Sequence, residues 1–204
     1  MQQPHAVIFD VGKVLFDWEP RYLYERLIGD DRALEAFLDT VVTRDWHFQH
    51  DAGRPFAETS AELIAQFPEH ESLIRAWGPR FNETICDTPI AGMAEIVADL
   101  AAAGVPLFAI TNFSGEFWPP FVRQHRGLFR HFGDIVVSGD EKLTKPDPAI
   151  YHLALARFGL EPGQAVFVDD NAANVDAANA LGIHGVLFSG ADALRAELGR
   201  YGLL

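Results

Sequence analysis

Three polar groups stand where short apolar runs stop. Ala6-Val7-Ile8-Phe9 ends at Asp10, residues 105–110 end at Thr111-Asn112, and Ala165-Val166-Phe167-Val168 ends at Asp169-Asp170. A lone aspartate after a strand is normally a turn or helix-cap residue. Three polar strand ends in one sheet are harder to dismiss, because ligands of open α/β sheets bind at the carboxyl ends of the strands. If Asp10 and Asp170 converge, with Asp169 beside them, their charge must be offset. Two carboxylates about 4 Å apart repel by roughly 4 kcal/mol at an effective dielectric near 20. A proton, a lysine or a divalent cation could supply the offset. Hard oxygen donors favour Mg²⁺, and Mg²⁺ lets an anionic carboxylate meet an anionic phosphate.

The elements that must position these groups are visible as patterns. Each apolar run is continuous and too short for an independent helix, as expected of a strand buried on both faces of a parallel sheet. Residues 134–137 and 184–187 are weaker strands. Helical spacing covers residues 91–102, 148–158 and 172–181, with Gly104, Gly159 and Gly182 near their ends. The alternation predicts an α/β fold, a Rossmann-like parallel sheet with helices on both faces. Residues 20–88 offer no convincing strand. Helical spacing there covers 22–28, 33–42, 57–67 and 72–81. The expected organisation is a core of residues 1–17 and 89–204 carrying an inserted all-helical cap, residues 18–88.

Composition bounds the function classes. The chain has 204 residues, 49% hydrophobic and 22% charged, which is globular and not disordered. Against 16 Lys+Arg stand 29 Asp+Glu, a net charge of −13. Such a chain repels nucleic acid unless a basic patch overrides the total, and the basic residues are scattered. Cys86 is the single cysteine, so an internal disulfide is impossible, which suits a reducing compartment. Residues 1–5 lack a basic leader region. The longest apolar stretch, residues 91–110, is interrupted by Glu95, Asp99 and Pro106, so no membrane span is expected. Neither a GxGxxG nor a Walker A string occurs. The expectation is a cytoplasmic monomer or homodimer acting on a small molecule, with no nucleic-acid or membrane partner.

The motifs, taken in order, resemble those of the haloacid dehalogenase (HAD) superfamily. Phe9-Asp10-Val11-Gly12-Lys13-Val14-Leu15 is similar to its first motif and Ala109-Ile110-Thr111-Asn112 to its second. Lys145-Pro146-Asp147-Pro148 is similar to its third, and Val168-Asp169-Asp170-Asn171 with Asn174 to its fourth. The insert resembles the helical cap of the phosphatase and dehalogenase branch. The resemblance implies that Asp10 is a nucleophile forming an aspartyl-phosphate. It implies that Asp10, the Gly12 carbonyl and Asp170 bind Mg²⁺, with Asp169 a further candidate ligand. Thr111 and the Asn112 N–H would hold phosphate oxygens, and Lys145 would neutralise charge. The implied activity is Mg²⁺-dependent hydrolysis of a small phosphomonoester, with a sugar phosphate as the expected class.

The chain departs from the pattern in one place that matters. Many phosphatases of the superfamily carry a general acid/base aspartate two residues after the nucleophile. Here that residue is Gly12, as in a sugar-phosphatase subset with an Asp-x-Gly-Asn-Val string, and Lys13 replaces the Asn of that subset. The proton donor is then a metal-bound water or a group from the cap. Expected substrate contacts are Gly12, Lys13, Trp18, Trp46, His50 and Asn174. Trp18 would line the entrance, or pack at the hinge. Trp46 and His50 share one helical face at i, i+4, and either point at the substrate, or Trp46 is cap core and His50 a surface or capping histidine. His47 and His50 lack the further ligands of a zinc site. The aromatic residues Phe113, Phe117, Trp118, Phe121, Phe129 and Phe132 fit core packing better than a cofactor site. Two other readings stay open: a metal-free 2-haloacid dehalogenase using Asp10, and a non-catalytic binding protein on the same scaffold.

Overall fold

The computed structural model describes residues 3–204; the first two positions of the stretch read for a leader lie outside them. Strand β1 (Ala6–Phe9) is followed by a short strand β2 (Phe16–Trp18). Five helices come next: α1 (Pro20–Tyr24), α2 (Asp31–Thr40), α3 (Arg44–Asp51), α4 (Phe56–Gln66) and α5 (Glu71–Ala76). Then come β3 (Ile85–Pro89), α6 (Met93–Ala102), β4 (Leu107–Thr111), α7 (Trp118–Gln124), α8 (Arg126–Phe129), β5 (Phe132–Val137) and α9 (Ser138–Glu141). The chain closes with α10 (Pro148–Phe158), β6 (Ala165–Asp169), α11 (Ala172–Ala180), β7 (His184–Leu187) and α12 (Ala191–Arg200). The main sheet has the order β5-β4-β1-β6-β7, and every pairing in it is parallel. This is the expected Rossmann-like α/β architecture.

The alternating faces of the strands explain the two layers of helix. Val7 and Phe9 of β1 join one apolar cluster with Ile96, Val97 and Leu100 of α6 and Leu194 and Leu198 of α12. Ile8 faces the other way and joins Ile150 and Ala154 of α10 and Ala178 of α11. Both faces of β1 are therefore covered, which accounts for its unbroken apolar sequence. The strand order turns back at β1, since β4 and β5 lie on one side of it and β6 and β7 on the other. That reversal opens a crevice at the strand ends.

The expectation of no strand between residues 20 and 88 is corrected. β3 begins at Ile85 and pairs antiparallel with β2, Trp18 opposite Ile85 and Phe16 opposite Pro89. The two strands make a ribbon at the root of helices α1–α5. They are too short and too exposed to show a period of their own; their pairing depends on residues about seventy positions apart.

The helical insert shares its core with the sheet domain. Tyr24, Phe37, Trp46 and Trp77 pack edge-on or stacked within the insert, and Phe81 completes the group. Phe81 also stacks on Phe117 at 4.5 Å and meets Phe113 edge-on at 5.4 Å. The aromatic residues after β4 are core packing, gathered with Phe16. Among the described residues no helix is long and apolar enough to cross a membrane. Phe81→Ala should cost about 3–5 kcal/mol, the usual loss for a buried phenylalanine; denaturant unfolding followed by tryptophan fluorescence measures it.

Candidate active site

Asp10 follows β1 at the centre of the sheet, and Asp169 ends β6 beside it. Asn112 follows β4 on the other side. Adjacent parallel strands lie roughly 4.8 Å apart, so the order of the sheet brings the three strand ends into one group. Lys145 reaches the same place from the loop before α10. Asp147 caps that helix by accepting from the Ala149 N–H at 2.8 Å, and Pro148 opens its first turn. Asn112 fixes the lysine backbone, accepting from the Lys145 N–H at 2.8 Å and donating to the Lys145 carbonyl at 3.0 Å.

The Lys145 side chain is the hub. Its Nζ lies 2.8 Å from Asp10 Oδ1 and 2.7 Å from Asp169 Oδ2, and it is 2% exposed. Burial works against its charge, yet Asp10 and Asp169 override that and hold its pKa above the ordinary lysine value. Asp10 Oδ1 also accepts from the Val11 N–H at 2.7 Å. Burial, with the charge of Asp169, pushes the Asp10 carboxyl up to about 7, against the pull of Lys145. Asp169 is fully buried and saturated. Besides Lys145 it accepts from the Asn171 N–H at 2.8 Å and from Asn174 Nδ2 at 3.0 and 3.1 Å. Asp170 is exposed at the rim, its pKa raised by partial burial and by Asp169.

One oxygen from each of Asp10, Asp169 and Asp170 lies within 4.8 Å of the others. Three carboxylates face a single lysine there, all hard oxygen donors, a set whose charge and chemistry fit a divalent cation such as Mg²⁺.

Above this group lies a cleft of about 390 Å³. Asp10, Gly12, Asn112, Lys145 and Asn174 line its floor; Trp18, Arg44, His47, Phe48 and Asp51 line the side formed by the insert. Of the expected site residues, the cleft thus gathers Asp10, Gly12, Lys13, Trp18, Asn112, Lys145 and Asn174. Lys13 adopts a left-handed backbone, φ 60°, and its Nζ is held at 2.8 Å by both Asp17 and Glu19. Thr111 is buried at the end of β4 and is not part of the lining. Trp46 and His50 do share a helical face, 4.7 Å apart edge to face, but that face turns into the insert. The indole N–H of Trp46 donates to the Thr59 carbonyl at 3.2 Å, and His50 bonds Thr59 Oγ1 at 2.7 Å. Both of these contacts are to α4, and neither residue is part of the cleft lining; His50 Nδ1 has no partner among the described residues. The neighbouring face of α3, His47 and Asp51, looks into the cleft instead. Burial, with the nearby His50, drops the His47 pKa to about 3, so that ring is neutral.

Comparisons with known proteins agree with this geometry. A family model described as haloacid dehalogenase-like hydrolase matches residues 4–182. The chain belongs to that family. It is a hydrolase. It is 30% identical to a sesquiterpene phosphatase of Aspergillus oryzae, over 89% of this chain and 88% of that protein. It is 27% identical to a phosphorylated carbohydrates phosphatase of Thermotoga maritima, over 90% and 86%. It also matches mouse acyl-CoA dehydrogenase family member 10 at 30% identity, but spans 17% of that protein's length. The fold superposes on a magnesium complex of a HAD family enzyme from Bacteroides thetaiotaomicron with a TM-score of 0.68, 19% identity and 93% and 95% coverage.

Removing the hub should be costly. Lys145→Met leaves Asp10 and Asp169 buried without a cation, a loss of about 3–5 kcal/mol in chelator at neutral pH. The loss should shrink below about pH 4. There the unfolded carboxyls are protonated too, and folding no longer has to take up protons. Urea midpoints of both proteins from pH 3 to 8 test the size and the sign.

Proposed function

We propose that the protein is a Mg²⁺-dependent phosphatase that hydrolyses a small phosphomonoester through an aspartyl-phosphate on Asp10. The observation that carries this reading is the array of Asp10, Lys145 and Asp169 under an open cleft. Both protein donors to Asp10, Lys145 Nζ and the Val11 N–H, fall on Oδ1. Oδ2 is the oxygen left to attack phosphorus. As the new P–O bond forms, the ester P–O bond breaks and the alcohol leaves; water then attacks the same phosphorus and frees Asp10. Lys145 stays at Asp10 through both displacements and meets the negative charge that gathers there. Asn112 holds Lys145 in place and presents its own N–H to the phosphate.

Mg²⁺ would be held by Asp10, Asp170 and the Gly12 carbonyl, where it would keep Asp10 ionised and neutralise the arriving phosphate. Asp169, with every bond already made, positions Lys145 and Asn174. The relatives support the reading: both phosphatases are matched over most of their length. A sugar phosphate is the substrate class we favour, consistent with the carbohydrate phosphatase among them. A small-molecule enzyme of this kind belongs in the cytoplasm, with no nucleic-acid or membrane partner, as a monomer or homodimer.

Asp10→Asn should fold and lose at least about 10³-fold in kcat. The assay is phosphate release from a panel of metabolite phosphates and p-nitrophenyl phosphate, with Mg²⁺ and with EDTA. Phosphate release indifferent to EDTA would overturn the Mg²⁺ requirement, and metal-independent halide release from 2-chloropropionate without phosphate release would replace the phosphatase reading by the dehalogenase one.

A further inference from the structure

The core offers the leaving group no acid. Gly12 has no side chain, and a Cβ there would already lie 3.4 Å from Trp18 Cδ1. Breaking an alkyl phosphate leaves an alkoxide, which needs a proton as the bond breaks. An in-line displacement puts that oxygen on the far side of phosphorus from Asp10, toward the insert. The groups there can be taken in turn. Lys145 is committed to two carboxylates and Lys13 to two others. Arg44 offers only a guanidinium, a group that does not serve as a general acid. His47 is neutral, and a neutral imidazole is a poor acid. Asp51 remains.

Asp51 ends α3 and lines the cleft together with Asp10 and Lys145. It is 5% exposed. Its Oδ1 has no hydrogen-bond partner among the described residues, and Oδ2 is 3.4 Å from His47 Nε2. A buried carboxyl oxygen without a partner is uncommon and needs a cause. Burial and the charge of Asp10 hold its pKa well above the usual carboxylate range, a shift toward the acid form of the carboxyl.

The backbone around it is fixed to the core. Ser138 Oγ donates to the Asp51 carbonyl at 2.6 Å and accepts from the Phe113 N–H at 2.9 Å, which ties Asp51 to the loop after β4. Two residues on, Gly53 has φ 90°, and a Cβ there would lie 2.8 Å from the Gly139 carbonyl oxygen. No other residue type fits that approach without a shift.

We infer that Asp51, on the insert, is the general acid/base of the reaction, doing from across the cleft what Gly12 cannot. The inference rests on the phosphatase reading. In the first displacement the O–H of the Asp51 carboxyl passes its proton to the ester oxygen, so the product leaves as an alcohol and Asp51 becomes a carboxylate. In the second, that carboxylate takes a proton from the attacking water. The phosphate is released, Asp10 is a carboxylate again and Asp51 is reprotonated.

The test is Asp51→Asn, isosteric and neutral, with rapid-mixing kinetics on p-nitrophenyl phosphate and on an alkyl phosphate. The aryl ester leaves without help. The variant should therefore keep a burst of one p-nitrophenol per active site and then turn over about 10²–10⁴-fold more slowly. On the alkyl ester it should lose a similar factor and accumulate no phosphoenzyme. Asp51→Glu should recover part of the alkyl rate. Equal losses with no burst on either ester, a rise in KM alone, or an alkyl rate within threefold of the parent would overturn the assignment. Urea midpoints check folding; if the amide variant does not fold, Asp51→Ser carries the same test. Failure of the underlying reading looks different: the unaltered protein then releases no phosphate from either ester.

Discussion

An ammonium group between two carboxylates, buried at the floor of the cleft, sets the terms for everything around it. Lys145 is costly to bury without Asp10 and Asp169, and each carboxylate is costly to bury without Lys145. Desolvating three charges costs several kcal/mol each before their attraction offsets it, and only tight geometry closes the gap. That need explains the supporting contacts. Asn112 bonds both the N–H and the carbonyl of Lys145, and Asn174 with the Asn171 N–H completes Asp169. Tyr151 in turn bonds the Asn174 carbonyl at 2.9 Å. Helices α10 and α11 are thus tied to the charge cluster as well as to the apolar layer beneath the sheet.

The insert is more than a cover. Its aromatic core runs into that of the sheet domain through Phe81, and its last α3 turn is bonded to the core through Ser138. Two kinds of contact hold the same junction, one apolar and one polar. The apolar one gives affinity; the polar one gives register. A carboxyl placed at the end of α3 is then located relative to Asp10 almost as closely as a residue of the sheet would be.

Much of this was legible in the chain. The ends of the apolar runs located Asp10, Asn112 and Asp169 because a strand buried on both faces must be apolar until it reaches solvent. The polar residues at those ends therefore mark the crevice, Thr111 excepted, which is buried outside its lining. Lys145 needed its motif, since nothing local distinguishes it from a solvated loop lysine. The insert was harder. On α3 both Trp46–His50 and His47–Asp51 stand at i, i+4, and periodicity does not say which pair faces the site. Size was the available signal: the tryptophan belongs in a core, which leaves the other pair for the cleft. The ribbon of β2 and β3 escaped because a strand of three residues and one of five, paired across the whole insert, leave no local trace. Lys13, at φ 60°, stands where the resembling subset has Asn, a residue that takes the left-handed region more readily.

The position of β1 has a consequence for how the molecule is made. It precedes the other elements described above and is the central strand of the sheet. Its partners lie far downstream, Leu107 opposite Val7 and Ala165 opposite Ala6. The helical insert is complete long before either neighbour exists, so during synthesis an apolar strand waits with both edges unpaired. Loop closure over those separations favours slow assembly. The last third of the chain, which brings both Lys145 and β6, is then what converts a waiting strand and a separate helical unit into one enzyme.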